Sequence, residues 1–432
     1  GSTLAVLPVL ETLTQASLLK RRVVADKTHF LLLETIREFA LEQLILHGEV
    51  EGTQERHAGY YADFAMTVYD ELLRPEAPRW RAWVAAEYDN LRAAFGWAMV
   101  HQMYEMALRL ATGIWRFHLM AGYLREGLER LEAALAYRQH APLKIQCDAL
   151  RAAGTLATTI NDYPRARQWL QEAVEIAWRL GDQSALQTAL QKLGTALLEQ
   201  GELEDARIHL EVALSLAQRG EDPTLARFSL VYLSDLHRRL GDYAQAQALG
   251  EECLRINQAR QDPGGTGSAI VILGGIALAQ GDTRRAHELA ERALTLHRAL
   301  DHQLGIGTDF ALLGDIASAQ GRYREALDEY QRCLRTWQER ESSVISAIVL
   351  DSVAQSLSRL GEPARGATLL SAAAAIRERA GARLTSAEQA ICDEIEFACR
   401  QALDAADLAR AWGAGRHLTL AQAIDLALQP LR

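Results

Sequence analysis

Apolar positions recur along this chain at the three- and four-residue spacing of amphipathic helices, and from residue 161 the whole pattern repeats. Segments beginning at Asn161, Gly201, Gly241, Gly281, Gly321 and Gly361 read NDYPRARQWL, GELEDARIHL, GDYAQAQALG, GDTRRAHELA, GRYREALDEY and GEPARGATLL. The step is 40 residues each time, with no insertion or deletion. One small-residue column holds Ala166, Ala206, Ala246, Ala286, Ala326 and Gly366, and another holds Ala173, Ala213, Cys253, Ala293, Cys333 and Ala373. Ahead of the turns stand Leu193, Leu233, Leu273, Leu313 and Val353, each followed by a small residue.

Each period therefore predicts two amphipathic helices of roughly 12–17 residues. Gly-Asp or Gly-Glu between them supplies a left-handed C-cap and then a residue able to cap the next helix. Small columns let helices approach closely, and large apolar columns fill the gap. One hairpin cannot bury its face alone, so stacking is required. The pattern resembles the tetratricopeptide repeat over residues of about 145–382. The usual period is about 34 residues, so the helices or turns here are longer. The resemblance implies an all-α, right-handed superhelical solenoid, a general binding platform.

The front of the chain reads differently. LPVLETLTQASLLKRR predicts one helix, VVADKTHFLLL a β-hairpin about Asp26-Lys27, and Glu34 to about Leu46 a helix closed by His47-Gly48. Helical periodicity then covers His57 to Met66, Arg79 to Val100 and Tyr104 to Ala136, with Trp80, Trp83, Trp97 and Trp115 as packing anchors and Pro75 and Pro78 marking a loop. Past Gly381, Ser386 to Leu408 predicts one long helix, Trp412 to Arg416 a connector, and Leu418 to Leu428 a last helix with Thr419 as N-cap.

The strings LLLETIREFALEQLILHGE, RHAGYYADFA and AEYDNLRAAFGWAM resemble the stretch after the nucleotide-binding module in bacterial signal-transduction ATPases with numerous domains, the STAND class, including regulators of the LuxR and maltose-activator type. That resemblance implies the end of a winged helix over 3–48, a helical linker over 49–142, six repeats over 143–382 and capping helices over 383–432. It also implies an ATPase core upstream, because no GxxxxGK[ST] occurs in the chain. Gly1-Ser2 resembles a remnant of tag cleavage, and no basic-then-apolar leader follows.

Composition narrows the chemistry. A charge of −10 argues against a broad nucleic-acid face. Nine prolines and 6% aromatics favour helix over sandwich. Cys147, Cys253, Cys333, Cys392 and Cys399 form neither a disulfide framework nor a zinc ribbon, and they suit a reducing, cytoplasmic setting. The longest uncharged run, Pro263 to Gly281, is punctuated by glycine and reads as one buried helix too short for a bilayer. The histidines are expected at the surface or partly buried, without metal spacing. No nucleophile motif occurs. The expectation is a non-enzyme without cofactor, not bound to a membrane and not itself reading nucleic acid.

Recognition remains. In such an array the first helix of each pair lines the inner curve. Column alignment selects Arg151, Thr155, Gln191, Thr195, Phe228, Tyr232, Asp235, Arg239, Asp315, Asp351 and Arg359. An aromatic, acidic and basic groove suits a peptide, protein or small-molecule trigger. The columns Gln191, Val231, Val271, Ala311 and Asp351 lack the Lys/Asn set of a C-terminal carboxylate clamp. The chain is thus expected to be a sensor controlling an upstream ATPase domain, or a constitutive scaffold for a peptide or protein partner.

Overall fold

A computed structural model of the chain describes residues 6–24, 27–72, 76–220, 225–337 and 343–431. Contacts divide the chain into two units, Gly1–Ala152 and Ala153–Arg432.

The first unit opens with α1 (Val6–Gln15), β1 (Leu19–Val24), β2 (Lys27–Leu32) and α2 (Glu34–Leu46). The strands pair antiparallel, with Leu19 opposite Leu32 and Val24 opposite Lys27. Lys20, Arg21 and Arg22 lie in β1, not in the first helix as their neighbours suggested, because Ser17 at φ +59° ends the helical run. Asp26, expected at the hairpin tip, lies outside the described residues.

The connecting helices are more broken than the periodicity implied. They are α3 (Val50–Glu71), α4 (Ala77–Ala86), α5 (Tyr88–Val100), α6 (Tyr104–Gly113), α7 (Trp115–Ala121) and α8 (Leu124–Leu135). Glu87 separates α4 from α5, while Ile114 and left-handed Gly122 divide the third segment. Pro78 sits in the first turn of α4, where its missing N–H costs nothing, rather than in a loop. Pro75 lies outside the described residues. Trp83 and Trp115 are buried, and Trp80 meets Trp83 edge-on at 4.7 Å.

Helix α9 (Leu143–Thr159) leads into the second unit. Then come α10 (Tyr163–Leu180), α11 (Gln183–Gln200), α12 (Leu203–Arg219), α13 (Ala226–Arg239), α14 (Tyr243–Ala259), α15 (Pro263–Ala279), α16 (Thr283–Ala299), α17 (Gln303–Ala319), α18 (Tyr323–Trp337), α19 (Ser343–Arg359) and α20 (Pro363–Ala380). This is a solenoid of tetratricopeptide-like hairpins. The turns work as the sequence implied: Gly201, Gly241, Gly281, Gly321 and Gly361 all hold positive φ. Asp242 and Asp282 then accept from Gln245 N at 3.2 Å and Arg285 N at 3.0 Å. Both small columns are buried, and Leu193, Leu233, Leu273, Leu313 and Val353 fill the space between layers. Truncating one of these to alanine costs about 2–5 kcal/mol.

Three helices close the unit: α21 (Ser386–Ala402), α22 (Ala405–Arg416) and α23 (Leu420–Ala427). The single long helix expected from Ser386 to Leu408 is two, because Asp404 caps a new one by accepting from Asp407 N at 2.7 Å. Trp412 to Arg416 belongs to α22 rather than to a connector. Thr419 caps α23 in a capping box with Gln422. Among the described residues no helix is long and apolar enough to cross a membrane.

Candidate functional site

The first helices of successive hairpins touch one another in order: α11, α13, α15, α17, α19, and then α21. Among the described residues, successive second helices from α12 to α18 meet only sparsely. The closer row occupies the shorter radius, so the first helices form the inner wall of the curve.

On that wall α11 and α13 bring a polar cluster together. Gln191 Nε2 donates to Thr195 Oγ1 at 2.9 Å. Asp235 accepts from Arg238 Nη2 at 2.7 Å and Arg239 Nε at 2.8 Å. Burial opposes ionisation of Asp235, but the two guanidiniums hold its carboxyl well below the carboxylate range. Asp235 in turn raises Arg239, with Glu199 adding to it. Burial and the Glu199 charge push the Tyr232 phenol up to about 12.

Asp315, on α17, is different. The residue keeps solvent access, but desolvation by the protein packed around it pushes its carboxyl up to about 6. It accepts one hydrogen bond, from Tyr330 Oη at 2.8 Å. That hydrogen bond and the more distant Arg238 act in the opposite sense. Gly314 lets the Tyr330 ring pass beneath α17, since a Cβ there would stand 2.5 Å from Tyr330 Cε1.

The other selected residues fall in several places. Phe228 is 39% exposed and lies under Arg227, whose Cζ is 4.0 Å from the ring centroid. Thr155 and Thr195 are half-buried, whereas Gln191 is buried. Asp351 is also buried and bonds Arg377, so it is not open to a ligand. Arg359 is exposed and lies 5.9 Å over Tyr323. Arg151 belongs to the first unit, where it bonds Tyr69 Oη and, at 2.6 Å, Asp148.

Column reasoning missed Glu199, Arg238 and Arg377. Glu199 is one helical turn beyond Thr195, and Arg238 one turn beyond Asp235, so i+3 and i+4 spacing would have found both. It also missed two buried histidines. His118 is fully buried, and so is His297, which is bonded through Nδ1 to Asp309 at 2.8 Å, where a surface or partly buried placement was expected.

The fold and inner wall define the class: a repeat protein whose curve is lined by alternate helices. Residues 119–304 match the MalT-like TPR region, and residues 310–342 match the tetratricopeptide repeat. Proteins of Mycobacterium tuberculosis and Mycobacterium bovis, provisionally named HTH-type transcriptional regulators, are 32% identical over 206 residues, 45% of this chain. The match spans 23% of those relatives' length. A Rap protein complexed with competence and sporulation factor is similar in structure at TM-score 0.54 and 11% identity, covering 80% of this chain and 99% of that one. The apo form of RapI gives 0.53 at 13%, covering 65% and 98%. At these identities the likeness is one of fold.

Proposed function

We propose that the inner wall is the receptor face of a sensor module. It takes up a peptide or protein trigger and controls a nucleotide-switch domain elsewhere in a longer, cytoplasmic regulator of the STAND class. The observation that carries this reading is the continuous row of first helices, with Thr195, Tyr232 and Asp315 on one surface and a charged group left open to solvent. The match to the MalT-like TPR region and the regulator names of the relatives support it. So do the solved Rap complexes, one with competence and sporulation factor and one with the Phr* peptide. The N-terminal helices also present Phe39, Ile45 and Leu46 to solvent, an apolar face suited to a neighbouring domain of the longer chain.

A trigger shifts such a switch only by its differential affinity for two states. The test is ATP turnover by the full-length protein, with and without residues 153–432. A changed basal rate supports the sensor; an unchanged rate overturns it. A second reading, a constitutive scaffold, is favoured by the contact that already closes the curve, Arg383 N to Gln200 O at 2.9 Å. It predicts peptide binding without any effect on turnover.

A further inference from the structure

We infer that residues 381–388 form a releasable latch on the receptor face: they close the row of first helices into a ring, and a trigger enters by parting them. This rests on the receptor reading above and adds the regulation of that face.

Helices α11, α13, α15, α17, α19 and α21 touch in sequence, so this row runs from α11 to α21. The segment entering α21 reaches back to the other end of the row. Arg383 N donates to Gln200 O at 2.9 Å, and Arg383 Nη1 pairs with Glu202 Oε1 at 2.9 Å, on either side of the glycine that ends α11. Glu388, in the first turn of α21, acts through its charge on Glu199 and Arg239, at the ends of α11 and α13. Bonding and electrostatics thus bring the same ends together. Asp315 fits an enclosed bore, since it keeps solvent access while desolvation raises its carboxyl.

The closure is made of parts that release easily. The row itself is backed by buried Leu193, Leu233, Leu273, Leu313 and Val353. Arg383 offers instead a backbone hydrogen bond and an ion pair in which its own side chain is 70% exposed. Such a pair is screened by salt and contributes little.

The turn at Gly201-Glu202 departs from its repeats to make this contact. Asp162, Asp242 and Asp282 each cap the helix that follows, accepting from the N–H three residues on. Glu202 stands in the same column, one methylene longer, and makes no cap bond. Its carboxylate goes to Arg383. At Gly241, Gly281, Gly321 and Gly361 a Cβ would meet nothing within 4 Å, whereas at Gly201 it would stand 2.5 Å from Arg383 O. This turn has given up its local cap and its free space for a distant partner, which is the arrangement of a catch rather than of a helix end. A trigger lying along α11 and α13 over Thr195 and Tyr232 reaches Glu199 in one turn and Arg239 in two, where Glu388 already acts. Binding and closure therefore compete.

The experiment uses the full chain, a fluorescent pool of random decapeptides read by anisotropy, and amide exchange at Arg383. Glu202→Asp shortens the reach to Arg383 and gives α12 the cap that the other turns have, so it opens the latch without weakening the fold. It should speed exchange at Arg383 and tighten pool binding at least tenfold, about 1.4 kcal/mol, because apparent affinity rises with the fraction of chains that are open. Glu202→Arg combined with Arg383→Glu rebuilds the pair with its charges swapped and should return both readouts to wild type. Unchanged exchange in Glu202→Asp, or faster exchange with equal binding, overturns the latch and leaves the receptor face standing. A swapped pair that stays open does the same. No binding by any variant overturns the receptor reading itself, and the latch with it.

Discussion

The backbone N–H of Arg383 donates to the carbonyl oxygen of Gln200 at 2.9 Å, joining the segment after the last repeat hairpin to the turn that follows α11. Arg383 Nη1 also pairs with Glu202 Oε1 at 2.9 Å. Gly201 lies between these contacts at φ +87°, and a Cβ on it would stand 2.5 Å from Arg383 O. The coil therefore returns to touch itself through a position that accepts only glycine.

Gly201→Ala should open this clasp. Gly241→Ala is the control, because Gly241 has φ +81° but nothing within 4 Å of its Cβ. Both variants carry left-handed strain of about 1–2 kcal/mol. Only Gly201→Ala adds the collision, expected to remove about 1 kcal/mol more and to speed amide exchange at Arg383. Equal exchange in the two variants would show that the contact does not hold the curve closed.

The Asp351–Arg377 pair gives a prediction with a sign. Asp351 is 8% exposed and Arg377 5%. Burial raises the Asp351 carboxyl to about 6, against the lowering effect of Arg377. The folded state therefore holds a proton that the unfolded chain, with a carboxyl near about 3.9, has released. Stability from this group is full below pH of about 4 and falls as pH rises to about 6. Melting of Asp351→Asn across that window should lack the decline, which is about 3 kcal/mol at most. Arg377→Met should cost about 3–5 kcal/mol at pH 8, where the buried carboxylate loses its cation and keeps only the Cys392 thiol as a partner, and less at pH 5. An equal loss at both values would contradict the assignment.

How much was legible follows from which interactions repeat. The hairpin ladder was readable because Gly-Asp turns and small columns recur at fixed spacing, each one reinforcing the last. Helical phase was enough to place Tyr232, Asp235 and Arg239 together on α13 and Asp315 on α17. Asp351 misled because column position fixes direction but not whether Arg377, on the following helix, arrives to cover it. The break at Glu87 and the clasp at Arg383 had no local signature. Glu87 is set by Tyr61 and His29, and Arg383 by Gln200, all remote in sequence. Non-local contacts of this kind do not appear in the periodicity.

Glu87 is such a remote hub, within the first unit. Its carboxylate accepts from Tyr61 Oη and from Asn90 Nδ2 at 2.7 Å, and pairs with His29 Nδ1 at 2.7 Å. Burial opposes the charge, but these partners together hold the carboxyl below its ordinary range. The hub ties β2 to the helices behind it, aided by Trp83 Nε1 donating to Val24 O at 3.3 Å. Glu87→Ala should therefore loosen the hairpin, with amides of β1 and β2 exchanging roughly 10- to 100-fold faster, as expected for losing charged hydrogen bonds worth about 1.5–3 kcal/mol. Exchange in α11 to α20 should not change. Unaltered hairpin protection would place the anchor elsewhere.

The end of the chain supplies the last prediction. Helix α23 has unsatisfied carbonyls at its C-terminus, as every helix does. Arg365 answers them from α20: its Nη2 donates to Leu426 O at 2.7 Å and Gln429 O at 2.6 Å, and its Nη1 to Pro430 O at 3.2 Å. Gln331, from α18, adds a bond from Nε2 to Ala427 O at 2.9 Å. A guanidinium suits this task because its planar fork aims several N–H groups at once, whereas an ammonium is a point donor. It also sets a positive charge against the negative end of the helix dipole. Arg365→Lys should then recover only part of the grip, and Arg365→Met none of it, at a cost of about 1–3 kcal/mol. The readout is the protection of α23 amides against exchange, in the order wild type, Lys, Met. If Lys protected as well as Arg, charge alone would hold the cap and the fork geometry would be irrelevant.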